Sequence, residues 1–282
     1  MTENARRLDA ALREAGDKGG QTLAHRLEEP AMSRLPLLLL SVLLAAPAAR
    51  ASDCPDLALV LALDSSLSID GTEFTLQTEG YAEAFRSPAV QAALAAAGTV
   101  DVAAVVWSDG AAPPARLGWQ RIAAPEDARR LAVRLAALER VAPGRTGVGG
   151  GLAAALEMLA EHGCAGRRLV NLSGDGRETL APRMGLRGQL MRARAEAEAL
   201  GATVNALAVT DEEADLPDWF RSHVIVGPGA FVMETREFRG FAEAVARKLV
   251  REIAPPALAA DRPGLPPHRL TPGGRDHPAR RS

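Results

Sequence analysis

Apolar residues run almost unbroken from Leu57 to Leu63, and the chain then turns abruptly polar at Asp64, Ser65, Ser66 and Ser68. A short apolar run closed by a carboxylate and hydroxyls predicts a strand over Ala58–Leu63, buried on both faces. Similar runs predict strands at Val100–Trp107, Leu169–Leu172, Thr203–Val209 and Ala230–Met233. Arg116–Ile122 is half-polar and predicts a strand near an edge. Between these runs the spacing becomes helical. Phe74, Tyr81 and Phe85 share one face of a helix over Thr72–Arg86. Pro125 suits the first turn of a helix reaching about Arg140. Val148–Glu161, Arg187–Leu200 and Glu237–Ile253 predict further helices. The alternation predicts an α/β fold, a doubly wound, mainly parallel sheet with helices on both faces. Sites in such sheets form at the carboxyl ends of strands, where strand order reverses.

The N-terminal region has a different pattern. A basic start at Met32-Ser33-Arg34 leads into an apolar stretch over Leu35–Ala46, then small residues at Ala49 and Ala51. This is the three-part form of a secretory signal peptide at residues 32–51, cleaved after Ala51, and the stretch is short for a membrane span. Residues 1–31 do not suit a position ahead of it: either translation starts at Met32 and they are an upstream extension, which is the preferred reading, or they replace the usual n-region. Residues 254–282 are rich in Pro, Arg and Gly without apolar periodicity and read as a disordered tail. The expectation is an exported protein, periplasmic or secreted, with no stable membrane span after signal cleavage.

Composition narrows the function classes. The 282 residues are 47% hydrophobic, enough for one sizeable core or two small ones. A formal net charge of −2 argues against a nucleic-acid binder. Aromatics make up only 4% of the chain, with one tyrosine, which leaves little for stacking bases or sugars.

Candidate chemistry gathers at the predicted strand ends. Asp64-x-Ser66-x-Ser68 closes one strand, Thr146 in "PGRTGVGGGL" precedes a helix, and Asp175 in "NLSGDGRET" follows another strand. They supply two carboxylates and three hydroxyls with no adjacent Cys or His. Hard oxygens without soft ligands suit Mg²⁺, Mn²⁺ or Ca²⁺ rather than zinc or copper. The alternate spacing lets Ser66 and Ser68 point to one centre while Leu67 points away. Each residue also has a plain structural reading. Asp64 caps the next turn equally well, Ser66 or Ser68 could cap the helix after Asp70, Thr146 could be an N-cap and Asp175 a turn residue.

These positions, in this order, resemble the metal-ion-dependent adhesion site of von Willebrand factor type A (vWA) domains, a Rossmann-like fold. The resemblance covers about Leu57 to Ile253, within a domain at residues 52–253. Through "ALVLALDSSLSID", "GRTGVGGGL", "NLSGDG" and "VIVGPGAFV" the chain also resembles a bacterial exported family, domain of unknown function 1194. By that resemblance Ser66 and Ser68 would bind the ion directly, Thr146 directly or through water, and Asp64 and Asp175 largely through waters. A carboxylate from a protein partner would complete the shell. Ser65, Trp107 and Asp109 are further candidates for the border of the site, although Trp107 also reads as a core residue and Asp109 as a loop cap.

Two cysteines in an exported chain suggest a disulfide. Cys54 precedes Asp64 by ten residues and Cys164 precedes Asp175 by eleven, so level aspartates on neighbouring parallel strands would leave the cysteines nearly level. Adjacent strands lie roughly 4.8 Å apart, within disulfide reach. The "GVGGGL" segment lacks the register and the Lys of a phosphate loop, which argues against a nucleotide, and its glycines would let a helix start close to the metal loop. There is no Gly-x-Ser-x-Gly elbow, and no histidine is placed to complete a triad. The reading is a non-enzymatic binding module. Metal-assisted hydrolysis at the same site and a metal-free structural domain are the alternatives.

Overall fold

Eight consecutive buried residues, Leu57–Asp64, form the central strand β1. The structure is a computed structural model that describes residues 54–109, 113–179 and 187–255. The expected signal peptide at residues 32–51, the extension at residues 1–31 and nearly all of the tail lie outside the described residues. The chain proceeds through α1 (Gly71–Arg86), α2 (Pro88–Ala97), β2 (Val100–Trp107), β3 (Ala115–Ile122) and α3 (Pro125–Ala136). Then come α4 (Val148–His162), β4 (Arg167–Gly174), α5 (Arg187–Ala199), β5 (Ala202–Val209), α6 (Leu216–His223), β6 (Val232–Thr235) and α7 (Phe241–Ile253). A single 3₁₀ turn at Phe238–Gly240 leads into α7.

The strands form one sheet in the order β3-β2-β1-β4-β5-β6. Only β3, at one edge, runs antiparallel, so the sheet is mainly parallel as its apolar strands predict. Side chains alternate across it. Leu57, Leu59, Leu61 and Leu63 pack in one core with residues of α1, α2, α3 and α7. Ala58, Val60 and Ala62 pack in the other with residues of α4, α5 and α6. Each leucine removed from water contributes on the order of 2 kcal/mol, so β1 is pinned from both sides. Strand order reverses between β1 and β4, and there both carboxyl ends open onto the same edge.

Some boundaries differ from the periodicity. The helix from Pro125 ends at Ala136 rather than near Arg140, because the chain turns there toward the loop after β1. The last strand starts at Val232, because Gly227 and Gly229 adopt positive φ and hold the preceding residues in a turn. Helices α2 and α6 were not signalled by apolar spacing, although Ser87 caps α2 ahead of Pro88. At the opposite end of the sheet Cys54 and Cys164 form a disulfide with Cα atoms 5.3 Å apart. The β1–β4 register pairs Leu57 with Arg167, which brings the cysteines level. Among the described residues no helix is long and apolar enough to cross a membrane.

Candidate metal-ion site

Asp64 is the last residue of β1 and is fully buried. Its Oδ1 accepts a hydrogen bond from the Ser66 amide at 2.8 Å, which closes the first turn after the strand. Its Oδ2 is buried without a hydrogen-bond partner. Turn capping therefore uses one carboxylate oxygen and leaves the other over. The chain curls so that Ser66 Oγ and Ser68 Oγ lie 3.3 Å apart, and Ser68 Oγ donates to Asp175 Oδ1 at 2.8 Å. Leu67 between them is 67% exposed. The helix that follows takes its cap from Asp70, which accepts from the Glu73 amide while Glu73 accepts from the Asp70 amide. The serine hydroxyls are thus not spent on the helix start.

Asp175 lies one residue beyond β4, between two glycines. A Cβ on Gly174 would stand 2.9 Å from Asp64 Oδ2, so the missing side chain lets β4 pass close to that carboxylate. A Cβ on Gly176 would lie 3.5 Å from Thr146 Oγ1, which puts Thr146 beside the Asp175 loop. The Thr146 amide donates to Thr179 Oγ1 at 2.9 Å, and its carbonyl accepts from the Thr179 amide at 2.9 Å. Thr146 is not an N-cap: α4 is capped by Gly147 and makes no side-chain cap bond. Glu178 instead accepts from the Gly149 amide at 2.8 Å, so the chain's own carboxylate stands where a helix start would take an anion.

Two glycines of "GVGGGL" serve a different approach from the one expected. A Cβ on Gly149 would meet the Leu190 amide nitrogen of α5 at 2.6 Å, and one on Gly151 the Trp107 indole at 2.4 Å. They fit α4 against α5 and Trp107 rather than against the metal loop. Of the residues expected to border the site, Ser65 Oγ donates to the Trp107 carbonyl at 3.1 Å and fixes the loop to β2. Trp107 is buried at the end of β2, and Asp109 accepts from the Arg145 amide at 3.2 Å.

Burial, and then the charge of Asp175, hold the Asp64 carboxyl well above the usual carboxylate range. Burial pushes Asp175 up to about 6, with Asp211 and Glu212 adding to it and the Ser68 hydrogen bond opposing it. Two buried carboxyl groups that disfavour each other's charge, one with an oxygen free of hydrogen bonds, make a site where a cation would be stabilised. The residues fit a divalent ion that prefers oxygen. Among the described residues no three His, Cys, Asp or Glu side chains gather to hold a metal, and this set relies on hydroxyls instead.

Beneath the site runs a buried polar chain that apolar periodicity alone does not reveal. Gln77 Nε2 donates to the Asp64 carbonyl at 2.9 Å, and Ser173 Oγ donates to Gln77 Oε1 at 2.7 Å. Tyr81 donates to Asn171 Oδ1 at 2.9 Å, Asn171 Nδ2 to Glu252 at 2.6 Å, and Lys248 Nζ to the other Glu252 oxygen at 2.6 Å. The signal was present as polar residues at core positions: Gln77 and Tyr81 on the apolar face of α1, Lys248 and Glu252 on that of α7. Among the described residues the histidines lie elsewhere, His162 beside Asp101 at 3.0 Å and His223 beside the Trp219 carbonyl at 3.0 Å.

A family model described as "Protein of unknown function (DUF1194)" matches residues 53–257. A comparison with curated proteins finds no match. Among solved structures, a von Willebrand factor type A protein from Catenulispora acidiphila is similar with a TM-score of 0.51 at 18% identity, over 71% of this chain and 43% of that one. The pilus adhesin SpaC from Lactobacillus rhamnosus GG is similar with a TM-score of 0.51 at 12% identity, over 71% of this chain and 31% of that one. The chain thus spans less than half the length of either. At these identities the likeness establishes a vWA-like fold.

Proposed function

The chain belongs to the DUF1194 family, and on that premise we propose that it is an exported, non-enzymatic binding module that recruits a protein partner through a divalent cation. Asp64, Ser66, Ser68, Thr146 and Asp175 hold the ion, which is Mg²⁺, or Mn²⁺ or Ca²⁺ in its place. The observation that carries this reading is Asp64 Oδ2, a buried carboxylate oxygen without a hydrogen-bond partner, at the start of a loop whose two serine hydroxyls meet each other and a second buried carboxylate. An unpaired buried charge costs several kcal/mol unless something compensates it.

The bound ion would neutralise the carboxylate pair and offer a coordination position to a carboxylate from the partner. The chain's own residues set the terms. Asp64 Oδ1 holds the turn that aims the serine hydroxyls, and Gly174 lets the two acidic groups share one small volume. Having few carboxylates among the ligands leaves the ion electrophilic toward an outside anion.

The test is capture of binding proteins on the immobilised mature protein in Mg²⁺, then elution with chelator. The expected result is a partner that is retained in Mg²⁺, released by chelator and absent from an Asp175→Ala column. Retention that ignores both chelator and substitution contradicts the reading. Export is checked separately by N-terminal sequencing of the secreted form, which should begin near Ser52.

A further inference from the structure

The segment that carries Thr146 also grips the loop that carries Ser66 and Ser68. The Arg140 guanidinium lies between α3 and α4, and one of its terminal nitrogens points at three backbone carbonyls of the loop after β1. It donates to Ser66 O at 3.2 Å, to Ser65 O at 3.5 Å and to Ile69 O. Four residues on, the Gly144 carbonyl accepts from the Leu67 amide at 2.9 Å. Asp109 braces the same segment through the Arg145 amide. Residues 140–146 therefore take the carbonyls of the loop to one side and end in Thr146, beside the loop that carries Asp175.

Backbone carbonyls are good ligands for hard cations and compete with hydroxyls for one. A guanidinium stays protonated at any working pH and donates only. Held by it, the carbonyls of Ser65, Ser66 and Ile69 are already engaged, and the hydroxyls are the oxygens left to face the site. We propose that Arg140 is a positioning residue for the metal loop, a built-in cation that fixes which oxygens the loop presents to a divalent ion. The inference rests on the metal reading above.

The sign of one effect separates this role from a bystander charge. A nearby positive charge repels Mg²⁺, so removing it would tighten binding if Arg140 did nothing else. A residue that orients ligands weakens binding when lost, by about 10–100-fold for such supporting groups. The experiment titrates Mn²⁺ into the chelator-stripped full protein, following its electron paramagnetic resonance signal and checking Mg²⁺ by competition. The chelator-stripped melting temperature of each protein is recorded beside it. R140Q should bind about 10–100-fold more weakly than wild type, and R140K, which keeps the charge but not the planar fork, should fall between.

Wild-type binding with equal or tighter affinity in R140Q overturns the positioning role, as does a lowered melting temperature with unchanged affinity. If R140Q does not fold, R140K decides: severalfold weaker binding supports the role, and equal or tighter binding overturns it. No Mn²⁺ binding by wild type overturns the metal reading itself, and this inference with it.

Discussion

At the scale of the residue, Asp64 and Asp175 join stability to pH. Burial raises the native pKa of Asp175 from 3.8 to about 6, so between these values the folded chain holds a proton that the unfolded chain has lost. Stability from this group is full below the unfolded pKa and is lost as pH rises through the folded one, by about 2–3 kcal/mol. Asp64 is shifted in the same direction. In chelator, urea denaturation should therefore show wild type losing stability relative to Asp175→Asn between pH 4.5 and 7, since asparagine fills the site without ionising. Mg²⁺ should reverse the trend and stabilise wild type more at pH 7 than at pH 5. A wild-type-minus-variant difference that is flat with pH would show that the carboxylate is not penalised by burial. Asp64 was legible in the sequence because a carboxylate ending an apolar run has left the core pattern. The division of its two oxygens was not, because that depends on the path of the turn.

At the scale of the element, the polar chain between the sheet and helices α1 and α7 ends in a fully buried ion pair, Lys248–Glu252, on a single helix face. Lys248→Met leaves Glu252 charged and buried, and should cost about 3–5 kcal/mol in chemical denaturation. The double variant Lys248→Met/Glu252→Gln should recover part of that loss, because no lone charge remains. A double variant worse than the single would mean that the pair acts chiefly through Asn171, which donates to Glu252. Gly151→Ala should lose about 1–3 kcal/mol by driving a methyl into the Trp107 indole. The strands and larger helices were readable from period alone because each buries a continuous face. Helix α6 is short and follows a charged loop, so its start gave no apolar signal. The glycine-rich start of α4 was readable as a place of close approach. Its actual neighbours, Leu190 and Trp107, depend on how α4 packs on α5 and β2.

At the scale of the molecule, the fold separates two ends of one sheet. Strand order reverses between β1 and β4, and that places the candidate site at their carboxyl ends. At the opposite end the Cys54–Cys164 disulfide, with a sequence separation of 110, ties the same two strands together. A Cys54→Ser/Cys164→Ser variant should be less stable by about 4 kcal/mol through the freedom regained by the unfolded chain, with its Mn²⁺ affinity unchanged. The pairing could be anticipated because parallel register carries a spacing from one end of a strand to the other. Arg140 could not, since only the folded chain brings residues 65–69 and 140–146 together. In the proposed site a divalent ion sits between Asp64, Ser66, Ser68, Thr146 and Asp175. This placement is tested most directly by thermal unfolding of wild type and Asp64→Ala with and without Mg²⁺. A ligand that binds only the folded state raises the midpoint, by about 2.7 kcal/mol of stability at a hundred times its Kd. Such a rise is expected in wild type and none in Asp64→Ala. An unchanged wild-type midpoint, or an equal rise in both proteins, would contradict it.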